Sequence, residues 1–289
     1  MKVTVTGSSG FVGSHLVKRL KALNYDVVDI DIKKGIDITN PAKLESVEHF
    51  DVLFHLAAKS YVPDSYKDPW SFFHLNIIGT LNALELCRKF KARMIFISSY
   101  LYGSPQYLPI DENHPVSAFN PYAQSKLICE QLCQSYNRDF QTAVVIVRPF
   151  NLYGPGQDKN FLIPTIINQA KSGKIILNDP VPKRDFLYID DFVELLVKLI
   201  DYNNSGCQIF NAGSSKSFSV REIAEIICQL INTNISIEFT NQKRPNEIAD
   251  TVADISKAKE LLGWQPKISF EEGLKFLIQN WNHNRLDYP

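Results

Sequence analysis

Three glycines spaced three apart, Gly7, Gly10 and Gly13 in GSSGFVG, stand between an apolar run at Val3 to Thr6 and an amphipathic stretch from Gly13 to Leu23. This placement restricts the chain more than any other feature. A strand that feeds a helix through a turn without side chains leaves bare backbone N–H groups and the positive end of a helix dipole facing one point, a geometry that suits a pyrophosphate. The spacing alone is weak; the strand before it and the helix after it make it specific. The expectation is a strand–turn–helix unit in which Gly7, Gly10 and Gly13 cradle a dinucleotide.

The rest of the first half repeats the pattern. Apolar runs at Asp26 to Ile30, Val52 to Leu56, Met94 to Ser98 and Thr142 to Val147 alternate with helical periodicity near Asn76 to Lys89 and Tyr122 to Asn137. Alternating strands and helices predict an α/β fold, a Rossmann-like doubly wound parallel sheet. After Arg148-Pro149 the prolines at 149, 155, 164, 180 and 182 break the chain into short pieces. Helical stretches at Asp190 to Tyr202, Ser219 to Ile231 and Ser269 to Trp281, with a strand at Ile235 to Phe239, predict a smaller mixed α/β substrate-binding lobe. The expected division is residues 1–150 for the dinucleotide-binding domain and 151–289 for the lobe, with a segment near 185–205 crossing back.

Asp31 ends the second strand about 20 residues past the glycines, where a carboxylate accepts from the ribose hydroxyls of an adenosine. It also repels a 2′-phosphate, so the expected cofactor is NAD rather than NADP, with Lys33 and Lys34 read as solvated loop lysines and Asp37-Ile38 flanking the adenine. Lys plus Arg balances Asp plus Glu at 31 each. No global field therefore draws the chain to nucleic acid or an anionic membrane, and an anionic ligand has to be held by local groups. No apolar run approaches the roughly 20 residues of a membrane span. The N-terminus runs straight into a strand pattern, and Cys87, Cys129, Cys133, Cys207 and Cys228 form no CxxC pair. A cytoplasmic protein with packing cysteines and no metal site is expected.

Tyr122 and Lys126 lie four apart in Tyr-Ala-Gln-Ser-Lys, on one helical face, after a helix start marked by Asn120-Pro121. A cation near a phenol favours the phenolate, which makes Tyr122 a candidate acid/base. Ser98 and Ser99 end a strand at the sheet edge where ligands collect, so a hydroxyl there, Ser98 foremost, is expected to meet the oxygen that Tyr122 protonates.

The ordered motifs GSSGFVG, DID, HLAA, SSYLYG, PYAQSK, RPFNLYGPGQ, KRDFLYIDD and LGWQP resemble, over nearly the full length, the extended short-chain dehydrogenase/reductase family in its nucleotide-sugar epimerase/dehydratase branch. The resemblance implies a catalytic triad of Ser98, Tyr122 and Lys126. It implies cofactor contacts at Gly7, Gly10, Phe11, Val12, Gly13, Asp31, Asp37, Ile38, Leu56, Ala57, Ala58, Tyr122 and Lys126, with Asn76 beneath the catalytic helix. For a nucleotide-diphosphate sugar it implies contacts from Ser99, Asn151, Arg184 and Arg244, the two arginines clamping the diphosphate through their fixed forks of donors. It also implies a homodimer across the helices after Asn76 and around Tyr122, with Leu127, Ile128 and Leu132 on that face.

The implied reaction is hydride exchange at a sugar carbon, with an NAD-dependent epimerase working through a transient 4-keto sugar as the favoured form. The alternative is an NAD(P)H-dependent 4-keto-6-deoxy-sugar reductase. Ser99 and Tyr100 stand where dehydratases of the branch carry an acid pair, which argues against 4,6-dehydration. A non-catalytic dinucleotide sensor would be expected to lack Tyr122 or Lys126.

Overall fold

The computed structural model describes residues 1–203, 206–231, 235–244 and 247–282. A six-stranded parallel sheet forms its centre. Strands β1 (Lys2–Thr6), β2 (Asp26–Ile30), β3 (Val52–His55), β4 (Arg93–Ile97) and β5 (Val144–Pro149) bear the expected apolar runs, and β3, β4 and β5 are almost wholly buried. Strands buried on both faces read as continuous rather than alternating apolar segments. β1 pairs with both β2 and β3, so the crossovers reverse there and open a crevice at the carboxyl edge.

Helix α1 (Phe11–Ala22) starts two residues before Gly13, so the third glycine sits inside its first turn. Between β2 and β4 come the short helix α2 (Pro41–Leu44), then α3 (Val62–Lys67) and α4 (Pro69–Phe73), each opened by a proline. A π-helical turn at His74–Ile78 leads into α5 (Gly79–Phe90). The longest helix, α6 (Pro121–Phe140), packs with α5 against one face of the sheet.

The second half returns to the sheet twice. After β6 (Asn151–Tyr153), α7 (Leu162–Ala170), β7 (Lys174–Leu177) and β8 (Lys183–Tyr188), helix α8 (Ile189–Lys198) packs beside α1 on the other face. Strand β9 (Gln208–Ala212) then adds to β5 as the sixth parallel strand. The segment that crosses back therefore reaches residue 212, beyond the expected 205. The remaining elements are β10 (Ser217–Ser219), α9 (Val220–Ile231), β11 (Ser236–Phe239), α10 (Ser256–Leu262) and α11 (Phe270–Asn282). They build the smaller lobe from the sheets β10-β8-β6 and β11-β7. Ile110 bridges to Ala253, tying the long β4–α6 connection to this lobe.

Among the described residues no helix is long and apolar enough to cross a membrane. All five cysteines are free thiols, with Cys87, Cys129 and Cys133 buried.

Candidate active site

The turn between β1 and α1 has a backbone that only glycine satisfies. Gly7 takes a φ of +68°, and a Cβ there would lie 2.8 Å from Ala57 N. A Cβ on Gly13 would lie 2.1 Å from the Gly7 carbonyl oxygen, so α1 closes directly onto the turn. Phe11 and Val12 form the first turn of the helix behind Gly10, its N-cap, and that first turn carries no acidic side chain. The Ser8 hydroxyl is buried in this turn without a hydrogen-bond partner. An unsatisfied buried hydroxyl beside a helix N-terminus fits an anionic group that would accept from it.

Asp31 stands at the end of β2. Its Oδ2 accepts from Ser9 N and its Oδ1 from Lys33 N, both at 2.8 Å, so the carboxylate is fixed between the glycine turn and the next loop. Lys34 pairs with Asp29 at 2.6 Å. Asp37 Oδ1 accepts from Thr39 N and Thr39 Oγ1, while the Ile38 side chain is buried against Gly79. Ile38 is thus core rather than an open wall. Leu56 and Ala57 leave β3 with their N–H groups donating to Thr6 Oγ1 at 3.1 Å, and Ala58 follows. These residues and Asp31 converge on the crevice at the head of α1, and the turn, the unpaired hydroxyl and the fixed carboxylate together fit a dinucleotide.

Asn120 caps α6 by accepting from Ala123 N at 2.8 Å, with Pro121 at the first helical position. This sets Tyr122 and Lys126 on the first two turns. Asn76 lies beneath them rather than capping a helix: its amide donates to Ser125 Oγ at 2.8 Å and to the Lys59 carbonyl, and its oxygen accepts from Lys59 N. The Lys126 ammonium donates to the Ile97 carbonyl at 2.7 Å and sits 4.7 Å over the Phe96 ring. Burial lowers the Lys126 pKa. Burial likewise raises the Tyr122 pKa, against an opposing effect of the nearby Ser99 side chain. The spacing of Tyr122 and Lys126 suggests an ammonium acting directly on the phenol. In the structure the ammonium binds the strand end instead, and Ser99 is the nearby side chain that opposes the effect of burial on the phenol.

Ser98 departs from expectation. It is 3% exposed, and its Oγ donates to Glu130 Oε1 at 2.5 Å, away from Tyr122. The reason lies on α6: Glu130, one turn past Lys126, is a buried carboxylate that takes the nearest hydroxyl as a donor. The next residue, Ser99, is the one beside the phenol.

Asn151 Nδ2 donates to the Asp185 carbonyl at 3.4 Å. The Arg184 guanidinium donates to the Ile248 carbonyl at 2.7 Å and pairs with Glu247. Burial lowers its pKa, with Glu247 and Tyr100 opposing. Arg244 lies exposed near Arg184 and adds to that lowering. A separate cavity of about 340 Å³ lies beyond β4, lined by Tyr102, Gln106, His114, Ser117, Phe119 and Ile248; neither Tyr122 nor Ser99 borders it.

Residues 3–213 match the NAD dependent epimerase/dehydratase family. The chain belongs to that family. Family members cover almost its whole length. A putative UDP-glucose 4-epimerase of Methanocaldococcus jannaschii is 34% identical over 98% of this chain and 99% of its own. A UDP-glucose 4-epimerase of Thermotoga maritima, solved with UDP-glucose, superposes with a TM-score of 0.92 at 26% identity, covering 99% of this chain and 100% of that one. The RMD protein of Pseudomonas aeruginosa, complexed with NADPH, gives 0.90 at 29% identity over 98% and 99%. This epimerase/dehydratase family member is therefore an enzyme of the extended short-chain dehydrogenase/reductase type with a nicotinamide dinucleotide as cofactor.

Proposed function

We propose that this enzyme inverts the C4 centre of a nucleotide-diphosphate hexose through a transient 4-keto sugar, with NAD returned unchanged at the end of each cycle. The observation that carries the reading is the anchoring of the helix that bears Tyr122 to the carboxyl edge of β4, Lys126 Nζ to the Ile97 carbonyl at 2.7 Å, beside a turn that admits a dinucleotide. Bound NAD supplies a hydride acceptor and, in its oxidised form, a positive ring charge that favours a nearby phenolate. Gly7, Gly10 and Gly13 with the Ser8 hydroxyl hold its pyrophosphate, and Asp31 takes the adenosine ribose. Asp31 already has both oxygens fixed by backbone donors, so a 2′-phosphate would meet a charge that cannot swing away.

Tyr122 Oη removes the proton of the sugar 4-hydroxyl as C4 gives up its hydride, and Ser99 Oγ hydrogen-bonds the same oxygen. Tyr122 returns the proton once the keto sugar has turned and taken hydride on its other face. The protein's work is orientation and one proton. Arg184, Arg244 and Asn151 hold the diphosphate, which requires Glu247 to yield its place on Arg184. A second copy of the chain covers the outer face of α5 and α6; Leu127 and Ile128 are only partly buried there, while Leu132 also packs on the intrachain core.

Purified enzyme incubated with UDP-galactose and NAD is expected to form UDP-glucose with no net change in nicotinamide absorbance. A 4-keto-6-deoxy-sugar reductase is the second reading, favoured by the likeness to the NADPH-bound Pseudomonas aeruginosa protein. Stoichiometric loss of NAD(P)H with a nucleotide 4-keto sugar, and no interconversion of hexoses, would establish it instead.

A further inference from the structure

A run of buried polar side chains that the chemistry above does not use leads from the active-site end of β4 to the smaller lobe. Ser98 Oγ donates to Glu130 Oε1 at 2.5 Å. Arg148 grips both oxygens of Glu130, Nε to Oε1 at 2.9 Å and Nη2 to Oε2 at 2.6 Å. Its third nitrogen donates to the Tyr102 hydroxyl at 3.1 Å, and Tyr102 donates in turn to Asn211 Oδ1 at 2.6 Å. Asn211 Nδ2 donates to the Ile110 carbonyl at 2.9 Å. Ile110 also accepts from Asp254 N at 2.8 Å and donates to the Val252 carbonyl at 2.7 Å, a segment of the lobe only a few residues past Glu247, the partner of Arg184. None of Ser98, Glu130, Arg148, Tyr102 and Asn211 is more than 3% exposed.

A buried ion pair is poor evidence for stability, because apolar residues of similar volume often serve as well. A two-pronged guanidinium–carboxylate pair does fix direction. Glu130 lies two helical turns past Tyr122 on the same face of α6, and Ser98 is the residue before Ser99. The pair thus ties the end of β4, where Ser99 stands, to the helix that carries Tyr122, and Tyr102 and Asn211 tie the pair to the lobe.

We propose that Glu130 and Arg148 are positioning residues that act through Ser98 to hold the Ser99 hydroxyl against Tyr122, anchored to the substrate lobe through Tyr102 and Asn211. The proposal rests on the reading of Ser99 as the hydroxyl partner of Tyr122. Two measurements on the NAD-loaded enzyme test it. The first needs no substrate: the 13Cζ resonance of Tyr122, assigned by its loss in Tyr122→Phe, is followed in Ser99→Ala, Glu130→Gln and Tyr102→Phe. Tyr102→Phe keeps the ring and leaves Glu130 and Arg148 paired, so it remains informative should Glu130→Gln not fold. The relay variants are expected to move the resonance toward its position in Ser99→Ala, and not to move it further in the Ser99→Ala background.

The second measurement is a double-mutant cycle on kcat with UDP-galactose. Glu130→Gln is expected to lower kcat about ten- to a hundredfold with KM changed less than about twofold, and to cost little more when Ser99 is already alanine. If Ser99→Ala leaves the Tyr122 resonance in place, the Ser99 assignment falls and takes the relay with it. If Ser99→Ala moves it but Glu130→Gln and Tyr102→Phe do not, or if the kcat losses simply multiply, the relay alone is overturned.

Discussion

Tyr122 carries a phenol that burial pushes toward its neutral form, so it keeps its proton until hydrogen bonding or a bound cation favours the anion. Replacing it with phenylalanine removes the proton carrier and little volume. Tyr122→Phe is expected to lower turnover by about 10²- to 10⁴-fold, while NAD titrated by fluorescence binds as before. The two serines separate by their partners. Ser99→Ala is expected to lower kcat by at least about tenfold more than Ser98→Ala, because the Ser98 hydroxyl is committed to Glu130 and Ser99 is the serine left to serve the phenol; steady-state rates of the two variants side by side would show it. Equal losses, or a larger one at Ser98, would return the catalytic hydroxyl to Ser98. At the other end of the substrate, Arg184→Lys keeps the charge but loses the fork that a diphosphate engages. It is expected to raise the Kd for UDP by about tenfold or more in calorimetry, leaving NAD binding unchanged.

At the scale of single elements, the joint between β1 and α1 tolerates the least change. A methyl group on Gly13 would meet the Gly7 carbonyl oxygen at 2.1 Å, a backbone atom with nowhere to go. Gly13→Ala is expected to abolish NAD binding in a fluorescence titration while circular dichroism still reports a folded α/β chain. Much of this joint is legible in the sequence, because strand, glycine turn and helix are contiguous and each declares itself by local pattern. The same holds for β2 through β5 and for α6, whose cap and proline stand in plain view. Strand β9 is not legible: QIFNA is short, carries polar residues at Gln208 and Asn211, and becomes a strand because β5 lies beside it. The helices α3 and α4 are hidden in a proline-broken stretch too short to show periodicity. The choice between Ser98 and Ser99 is likewise set by tertiary partners, since the resemblance points to Ser98 and only Glu130, held by Arg148, turns its hydroxyl away. A buried acid one turn past Lys126 and an arginine before Pro149 were the available hint, because each needs a partner once buried.

Across the whole molecule, an imidazole adds a hydrogen-bonded link from β1 to the catalytic helix. His55, at the end of β3, bonds Thr6 Oγ1 at 2.7 Å through Nδ1 and Thr80 Oγ1 at 3.1 Å through Nε2; Thr80 donates to the Asn76 carbonyl at 2.6 Å, and Asn76 holds Ser125 of α6. Burial, with Lys126 nearby, lowers the His55 pKa from 6.5 to about 3. Between those values the unfolded chain binds the proton and the folded chain does not. The stability this neutral imidazole contributes is therefore complete above pH 6.5 and is lost as the pH falls toward 3, at a rate approaching about 1.4 kcal/mol per pH unit. Asp185 works in the opposite direction. Burial raises its pKa from 3.8 to about 6, so over that range the folded chain holds the extra proton and stability falls as the pH rises. The two slopes partly cancel in the wild-type protein, and a single stability curve cannot separate them. His55→Asn keeps an acceptor and a donor at the same place but cannot titrate. The difference between wild-type and His55→Asn unfolding free energies, from urea titrations at a series of pH values, is expected to be flat above pH 6.5 and to shift steadily against the wild type below it, with the Asp185 contribution common to both. Parallel curves through pH 4 would mean that the imidazole takes its proton inside the fold and that the hydrogen-bonded link from β1 to α6 does not depend on its neutral form.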